Sequence, residues 1–319
     1  MKRWTRFLGA GLIAVSAFSA HAAVFPTRPI TLVIGFNPGS GIDVIARIIA
    51  QRLEAEVHQP VIVENKPGAN AALAASYVAR AAPDGHTLTI GGGFYAANPS
   101  LMKNISYDPG KDFAPVTLAG GFAYMLAVNP QLPVRNVAEL IAYARANPGK
   151  LSYASSNSSG LVAGETFKLK AGIDINHVPY KSAPPAVSDL LGGQVSMMFV
   201  DVTTALPHIK ASTLRGLAVT AIDRSALLPD LPTLDEVGLT GFDVGSWDGV
   251  FATARTPPET IGSLNSALRG IVDNPEVKAR LALIGFETRS STPQELGNFA
   301  EAQRAKWAKM IRDAGIQPE

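Results

Sequence analysis

Apolar positions along this chain recur in two alternating periods. Residues 30–34, Ile-Thr-Leu-Val-Ile, form a short β-branched run, the pattern of a strand buried on both faces. After a break at Pro38-Gly39-Ser40-Gly41, residues Ile42, Ile45, Ala46, Ile49 and Leu53 follow at helical spacing, with Arg47 and Arg52 off that face. The alternation continues with a strand at 61–64, an Ala-rich helix at 71–81 and a strand at 87–90 that ends in Gly91-Gly92-Gly93. This βαβαβ series predicts a parallel sheet with right-handed crossovers.

Beyond a Pro/Gly/Asp-rich passage at 98–115, the pattern predicts separate strands at 116–119 and 125–128. Further strands are expected at 151–154, 177–180, 195–200 and 214–219, alternating with helices at 137–146, in the stretch up to 171, at 186–191 and at 203–211. A loop-like passage through 228–232 precedes an extended stretch at 242–252. Helices at 259–274 and 293–314 close the chain, the second with Leu296, Phe299, Trp307 and Ile311 inward. No internal repeat is visible. The expected fold class is α/β: two lobes, each a mostly parallel sheet flanked by helices, with a ligand at the carboxyl ends of the strands.

Composition narrows the functional classes. The chain has 319 residues, 47% hydrophobic and 17% charged, which excludes a disordered chain and allows two domains. A net charge of +2 with no Lys/Arg block argues against a nucleic-acid partner. Lys2, Arg3 and Arg6, the apolar stretch 7–18 and Ala20-His21-Ala22 read as a secretory signal peptide over residues 1–22, cleaved near Ala23. That apolar run is shorter than the ~20 residues a membrane span needs. The mature chain is therefore expected in the periplasm. Cysteine is absent, which leaves no disulfide, thiolate metal site or Cys nucleophile.

The candidate chemistry lies in loops. A strand, a glycine turn and a helix aim free first-turn N–H groups and the positive end of the helix dipole into a small-residue loop, which suits an anion. Asn37, Ser40 and Gly41 belong to that loop. Asp43 is either an N-cap or first-turn acid, or part of the site. A second loop of this kind, Ser155, Ser156, Asn157 and Ser158, also follows a strand and precedes a helix. Gly93, Phe94, Tyr95 and Asp201 also stand at strand ends and are expected to border the same cleft. A dinucleotide reading of Gly39-Ser40-Gly41 fails at the third glycine, where Val44 stands. No G-x-S-x-G elbow or P-loop occurs, the His residues are scattered, and no group has metal-ligand spacing. The expectation is a protein without catalytic residues, cofactor or metal.

An ordered set of short motifs then points to a family. It begins with Phe25-Pro-Thr-Arg-Pro-Ile30, Phe36-Asn-Pro-Gly39 with Asp43 and Ala46-Arg47, and Val61-Ile-Val-Glu-Asn-Lys-Pro-Gly68. It continues with Ala82-Pro-Asp-Gly85, Asn98-Pro99, Tyr107-Asp-Pro109 with Asp112-Phe113, and Pro148-Gly-Lys-Leu151. The last are His177-Val-Pro-Tyr-Lys181, Leu228-Pro-Asp-Leu-Pro-Thr233, Trp247 with Gly249, and Lys306-Trp307. Over nearly its whole mature length the chain resembles the Bug family of periplasmic solute receptors, the extracytoplasmic subunits of tripartite tricarboxylate transporters.

The resemblance implies a two-lobed type II periplasmic binding protein fold, with lobe 1 at 23–123 and 244–319 and lobe 2 at 124–243. It implies a monomer that captures a small carboxylate and delivers it to membrane permease subunits, and it adds Tyr180, Trp247 and Asp248 to the expected ligand-binding residues. A sensor acting on a signalling partner, or an exported enzyme, are the alternatives. Ser40 stands where the family usually has Gly, Leu161 where many members have His, and Ser182 where Gly is usual. The second loop is about two residues shorter than the family's Gly/Ser-rich version. Asp248 either caps a turn beside Gly249 or, with Asp201 or Asp43, selects a ligand bearing both a carboxylate and a positively charged nitrogen, leaving amine-bearing or aromatic acids open.

Overall fold

The computed structural model describes residues 25–318; the expected signal peptide lies outside the described residues. The leading unit forms as its apolar spacing requires: β1 (Ile30–Ile34) runs into α1 (Gly41–Val57), which buries Ile42, Ile45, Ala46, Ile49 and Leu53 on one face. β2 (Val61–Asn65), a tight turn at Ala69–Ala71, α2 (Ala72–Ala79) and β3 (Thr87–Gly91) complete the first series. β1 pairs in parallel with both β2 and β3.

The Pro/Gly-rich passage that followed is not bare loop. Prolines at first or second helical positions start short helices where their missing N–H costs nothing. These include α4 (Asn98–Leu101) and α5 (Pro109–Asp112), preceded by α3 (Gly93–Ala96).

β4 (Phe113–Val128) is a single strand where the apolar pattern suggested two. Gly120 and Gly121 interrupt the apolar pattern but not the pairing, because neighbouring strands press close on both. A Cβ on Gly120 would lie 2.1 Å from the Glu287 carbonyl oxygen, and one on Gly121 2.4 Å from that of Ser246. The rest of the second series is α6 (Val137–Ala146), β5 (Ser152–Ser155), α7 (Ser158–Ala171), β6 (Asn176–Pro179), α8 (Ala183–Leu191), β7 (Met197–Asp201), α9 (Val202–Lys210) and β8 (Arg215–Val219). The chain returns through β9 (Gly245–Thr253) to α10 (Pro258–Asp273), α11 (Pro275–Ala282), β10 (Phe286–Thr288) and α12 (Pro293–Asp313). α11 and β10 had no apolar period strong enough to announce them.

The strand order is β2-β1-β3-β9-β4-β7-β5-β6, with β8 and β10 also pairing with β4. The parallel pairs predicted from the βαβ units are present, and β5 joins β6 and β7 in the same sense. The long antiparallel pair β4–β9 runs between them and makes the sheet mixed. Along β4, residues 113–123 pair with β9, and Tyr124–Val128 pair with β7. One strand thus belongs to both halves of the molecule.

Helices cover both faces. Ile45, Ile49 and Leu53 pack with Leu264, Leu268 and the inner residues of β1 in one apolar core. Leu140, Phe167, Phe199, Phe251 and Trp307 belong to a second, and Val187, Leu190, Met198 and Leu206 to a third. Among the described residues no helix is long and apolar enough to cross a membrane.

Candidate functional site

The first turn of α1 is left without a cap. Ser40 is its N-cap residue, yet its side chain makes no capping bond, and its buried hydroxyl has no hydrogen-bond partner. Orphan first-turn N–H groups and the positive end of a 17-residue helix therefore face whatever lies ahead of Gly41. α7 starts nearby in a different way. Asn157 accepts from Gly160 N–H at 2.9 Å, while its own amide donates to the Tyr124 hydroxyl at 2.7 Å. The N–H of Ser158 donates to Oδ1 of Asn70 at 3.0 Å, a bond that links the β1–β3 side to the β5–β7 side.

These helix starts meet at one cavity of about 60 Å³, room for a few waters or for the polar part of a small ligand. Its polar lining includes Ser40, Asn70, Ser156, Ser158, Asp201 and Asp248, and among the described residues no Lys, Arg or His faces it. Of the expected site residues, Ser40, Gly41, Gly93, Phe94, Ser156, Asn157, Ser158, Asp201 and Asp248 are brought together there.

Six others are placed elsewhere, each for a visible reason. Asn37 closes the turn, its carbonyl accepting from Ser40 N–H at 3.3 Å. Asp43 is buried beneath that turn: it accepts from Gly39 N–H and from the Asn65 amide, each at 2.9 Å, and pairs with Arg47 at 3.0 Å. Burial alone would raise its carboxyl, but Arg47, Gly39 and Asn65 hold it below the usual range. It therefore fixes the first loop and does not reach the cavity. Tyr95 turns toward α12, stacking on Phe251 and donating to Glu301 at 2.8 Å.

Ser155 and Tyr180 line a wider outer groove that shares Asn70, Ser156, Asn157 and Ser158 with the cavity. There Ser155 Oγ is hydrogen-bonded to His177 at 2.7 Å, and the Tyr180 hydroxyl donates to Asp189 at 2.6 Å. Trp247 packs its ring against Phe299. It stands behind Gly92 of the cavity wall, where a Cβ would lie 2.3 Å from its carbonyl oxygen and 2.6 Å from its indole ring.

Five polar lining residues were missed: Asn70, Thr89, Tyr124, Ser159 and Ser246. Asn70 follows β2 at its carboxyl end, where the strand-end rule applied to its neighbours would have found it. Tyr124 and Ser246 read as ordinary strand positions and carried no signal.

Asp201 and Asp248 are each only 4% exposed. Asp201 caps α9, its Oδ1 accepting from Thr204 N–H at 2.7 Å, and the same oxygen lies against the first turn of α1: a Cβ on Gly41 would be 2.6 Å from it. Burial raises its carboxyl above the usual range despite that bond. Asp248, paired across the sheet with Gly120, has a buried Oδ2 with no partner. Burial, with Asp201 nearby, pushes its carboxyl up to about 8.

Known proteins match this arrangement over most of the chain. Residues 45–316 match the model of the tripartite tricarboxylate transporter family receptor. BugT of Bordetella pertussis is 34% identical over 311 residues, covering 96% of this chain and 95% of that protein. Among solved structures, the R. palustris protein Rpa4515 with adipate superposes with a TM-score of 0.90 at 37% identity, covering 92% of this chain and all (100%) of that one. MatC from Rhodopseudomonas palustris with bound malate gives 0.85 at 31% identity, covering 90% and 100%. With its two series of strand–loop–helix units meeting at one buried cavity, this chain belongs to the tripartite tricarboxylate transporter receptor family.

Proposed function

We propose that this protein captures a small carboxylated metabolite between two lobes, residues 23–123 with 244–319 and residues 124–243, and hands it to a membrane permease. The observation that carries this reading is the convergence of α1 and α7, with Ser40, Ser156 and Ser158, on a cavity that no cationic side chain lines among the described residues. Backbone N–H groups at a helix start stabilise an anion through hydrogen bonds and the helix dipole, each end supplying roughly half a positive charge. The ligands named for the two R. palustris relatives, adipate and malate, are carboxylates and support the same class here. The proposed contact residues are Ser40, Gly41, Gly93, Ser156, Asn157 and Ser158, together with Asn70, which lines the same cavity. Export of the mature chain to the periplasm by cleavage near Ala23 belongs to this reading. A receptor of this kind needs no catalytic group.

A thermal-shift screen of the mature chain against mono- and dicarboxylates, amino acids and aromatic acids tests it. A ligand that binds only the folded state raises the melting temperature, by an amount that grows with concentration over Kd. Saturable stabilisation by at least one carboxylate, with no turnover of it, is the expected result. A flat response to every carboxylate, or consumption of the ligand, would overturn the proposal.

A further inference from the structure

The acids in the cavity have a separate consequence. Two buried carboxyl groups, Asp201 and Asp248, face a space lined by no Lys, Arg or His among the described residues. Tyr124 is the other titratable group facing it, and its hydroxyl is taken by the Asn157 amide. Asp201 is served by Thr204 N–H and by the positive end of α1 beside it, so its negative charge has partners. Asp248, which also lines the cavity, is not served in this way: its Oδ2 is buried and finds no donor. A ligand carboxylate at the helix starts adds another negative charge to the same small space, and like charges in a low-dielectric site repel strongly. Where Asp248 is ionised, a compensating positive charge is required, and the described lining residues do not contain it.

The geometry points to a ligand that carries the compensation itself: a carboxylate that also bears a positively charged nitrogen, its N–H groups donating to Asp248 with Asp201 in support. This rests on the receptor reading above and narrows its substrate class to amino acids or acids with a protonated nitrogen. Adipate and malate contain no nitrogen, so an amine preference does not follow from those relatives. The competing arrangement keeps a proton on Asp248, whose O–H then donates to a second carboxylate of the ligand. An amide at position 248 can replace that donor but cannot replace a negative acceptor, which makes the two arrangements separable.

Isothermal titration calorimetry with matched probes decides between them: β-alanine, 4-aminobutanoate and L-aspartate against propanoate, butanoate and butanedioate. The expected result is that amine-bearing probes bind the wild-type chain roughly tenfold or more tightly than their partners. Asp248→Asn should weaken the amine-bearing probes by a similar factor and leave amine-free probes unchanged or tighter. Asp201→Asn, which keeps a capping side chain for α9, should shift the two classes in the same directions, and melting curves verify that both variants fold. Equal binding of the two classes, or equal losses in the variants, overturns the amine assignment while the receptor reading stands. If no carboxylate of either class binds, both readings fall.

Discussion

A buried carboxyl without a donor costs the fold stability whenever it is ionised, and Asp248 is such a group. In an unfolded chain its carboxyl titrates near ~3.9, whereas in the folded cavity it keeps its proton up to about 8. Between those values the folded state binds the extra proton, so stability falls as pH rises through the window. Asp201, raised in the same direction, adds to the slope. Asp248→Asn removes the larger liability while keeping the side chain's size. Its melting temperature should exceed that of the wild type near ~pH 8, and the gap should close toward ~pH 4, where both folded and unfolded wild-type chains are protonated at this position. Melting curves by circular dichroism across that range check this. A gap that stays constant with pH would show that Asp248 is ionised at no cost, through a donor other than those seen. Retaining so expensive a group in a cavity lined by helix starts is intelligible if a ligand relieves it.

At the scale of elements, the molecule depends on how tightly β9 and β10 close around β4. Gly120 has φ of +146°, in the region L side chains avoid, and a Cβ there would strike the Glu287 carbonyl oxygen. Backbone cannot yield as a flexible side chain does, so Gly120→Ala should cost at least ~2 kcal/mol, read as a lower urea midpoint at unchanged slope. Wild-type stability would mean that the β4–β10 edge opens without penalty. The same glycines show why part of the fold was hidden in the sequence. An apolar period is a local signal, and it stopped at Gly120-Gly121 although the strand does not. The pairing that carries β4 through is supplied by residues more than a hundred positions later. The strongly periodic units, β1–α1 and the βαβ series, were legible because burial of one face dictates residue type within a single element. The site divides in the same way. Loop residues at strand ends could be placed at the cavity, since topology fixes where strand ends point. Which side chain turns inward is set by partners such as Arg47 for Asp43 and Glu301 for Tyr95, and spacing does not encode them.

Over the whole molecule, Asn70 makes a hydrogen bond across the cavity, from the β1–β3 side to the β5–β7 side. Ala69, Asn70 and Ala71 all have positive φ, at 46°, 48° and 66°, each costing on the order of 1 kcal/mol or more for a residue with a side chain. The strain is held by a buried brace. Asn98 donates to the Asn70 carbonyl oxygen at 3.0 Å and accepts from its amide at 2.6 Å, and the Tyr107 hydroxyl anchors to the Phe94 carbonyl oxygen at 2.8 Å. So braced, Asn70 Oδ1 reaches the first turn of α7 and takes the Ser158 N–H that would otherwise await a ligand. Asn70→Gly separates the two effects. Glycine adopts this left-handed conformation freely, so the backbone is relieved, but the acceptor across the cleft is lost. The melting temperature should fall only modestly, since the variant also loses the amide bond to buried Asn98, while the ligand-free chain opens about β4, the strand that pairs with both sides. Small-angle X-ray scattering should give a larger radius of gyration for the variant than for the wild type, against the roughly 19 Å expected of a compact chain of this length. Equal radii would mean that Asn70 does not hold the cleft closed, and that the closed geometry rests on the contact of Gly41 with Asp201 and of Gly93 with Ser158.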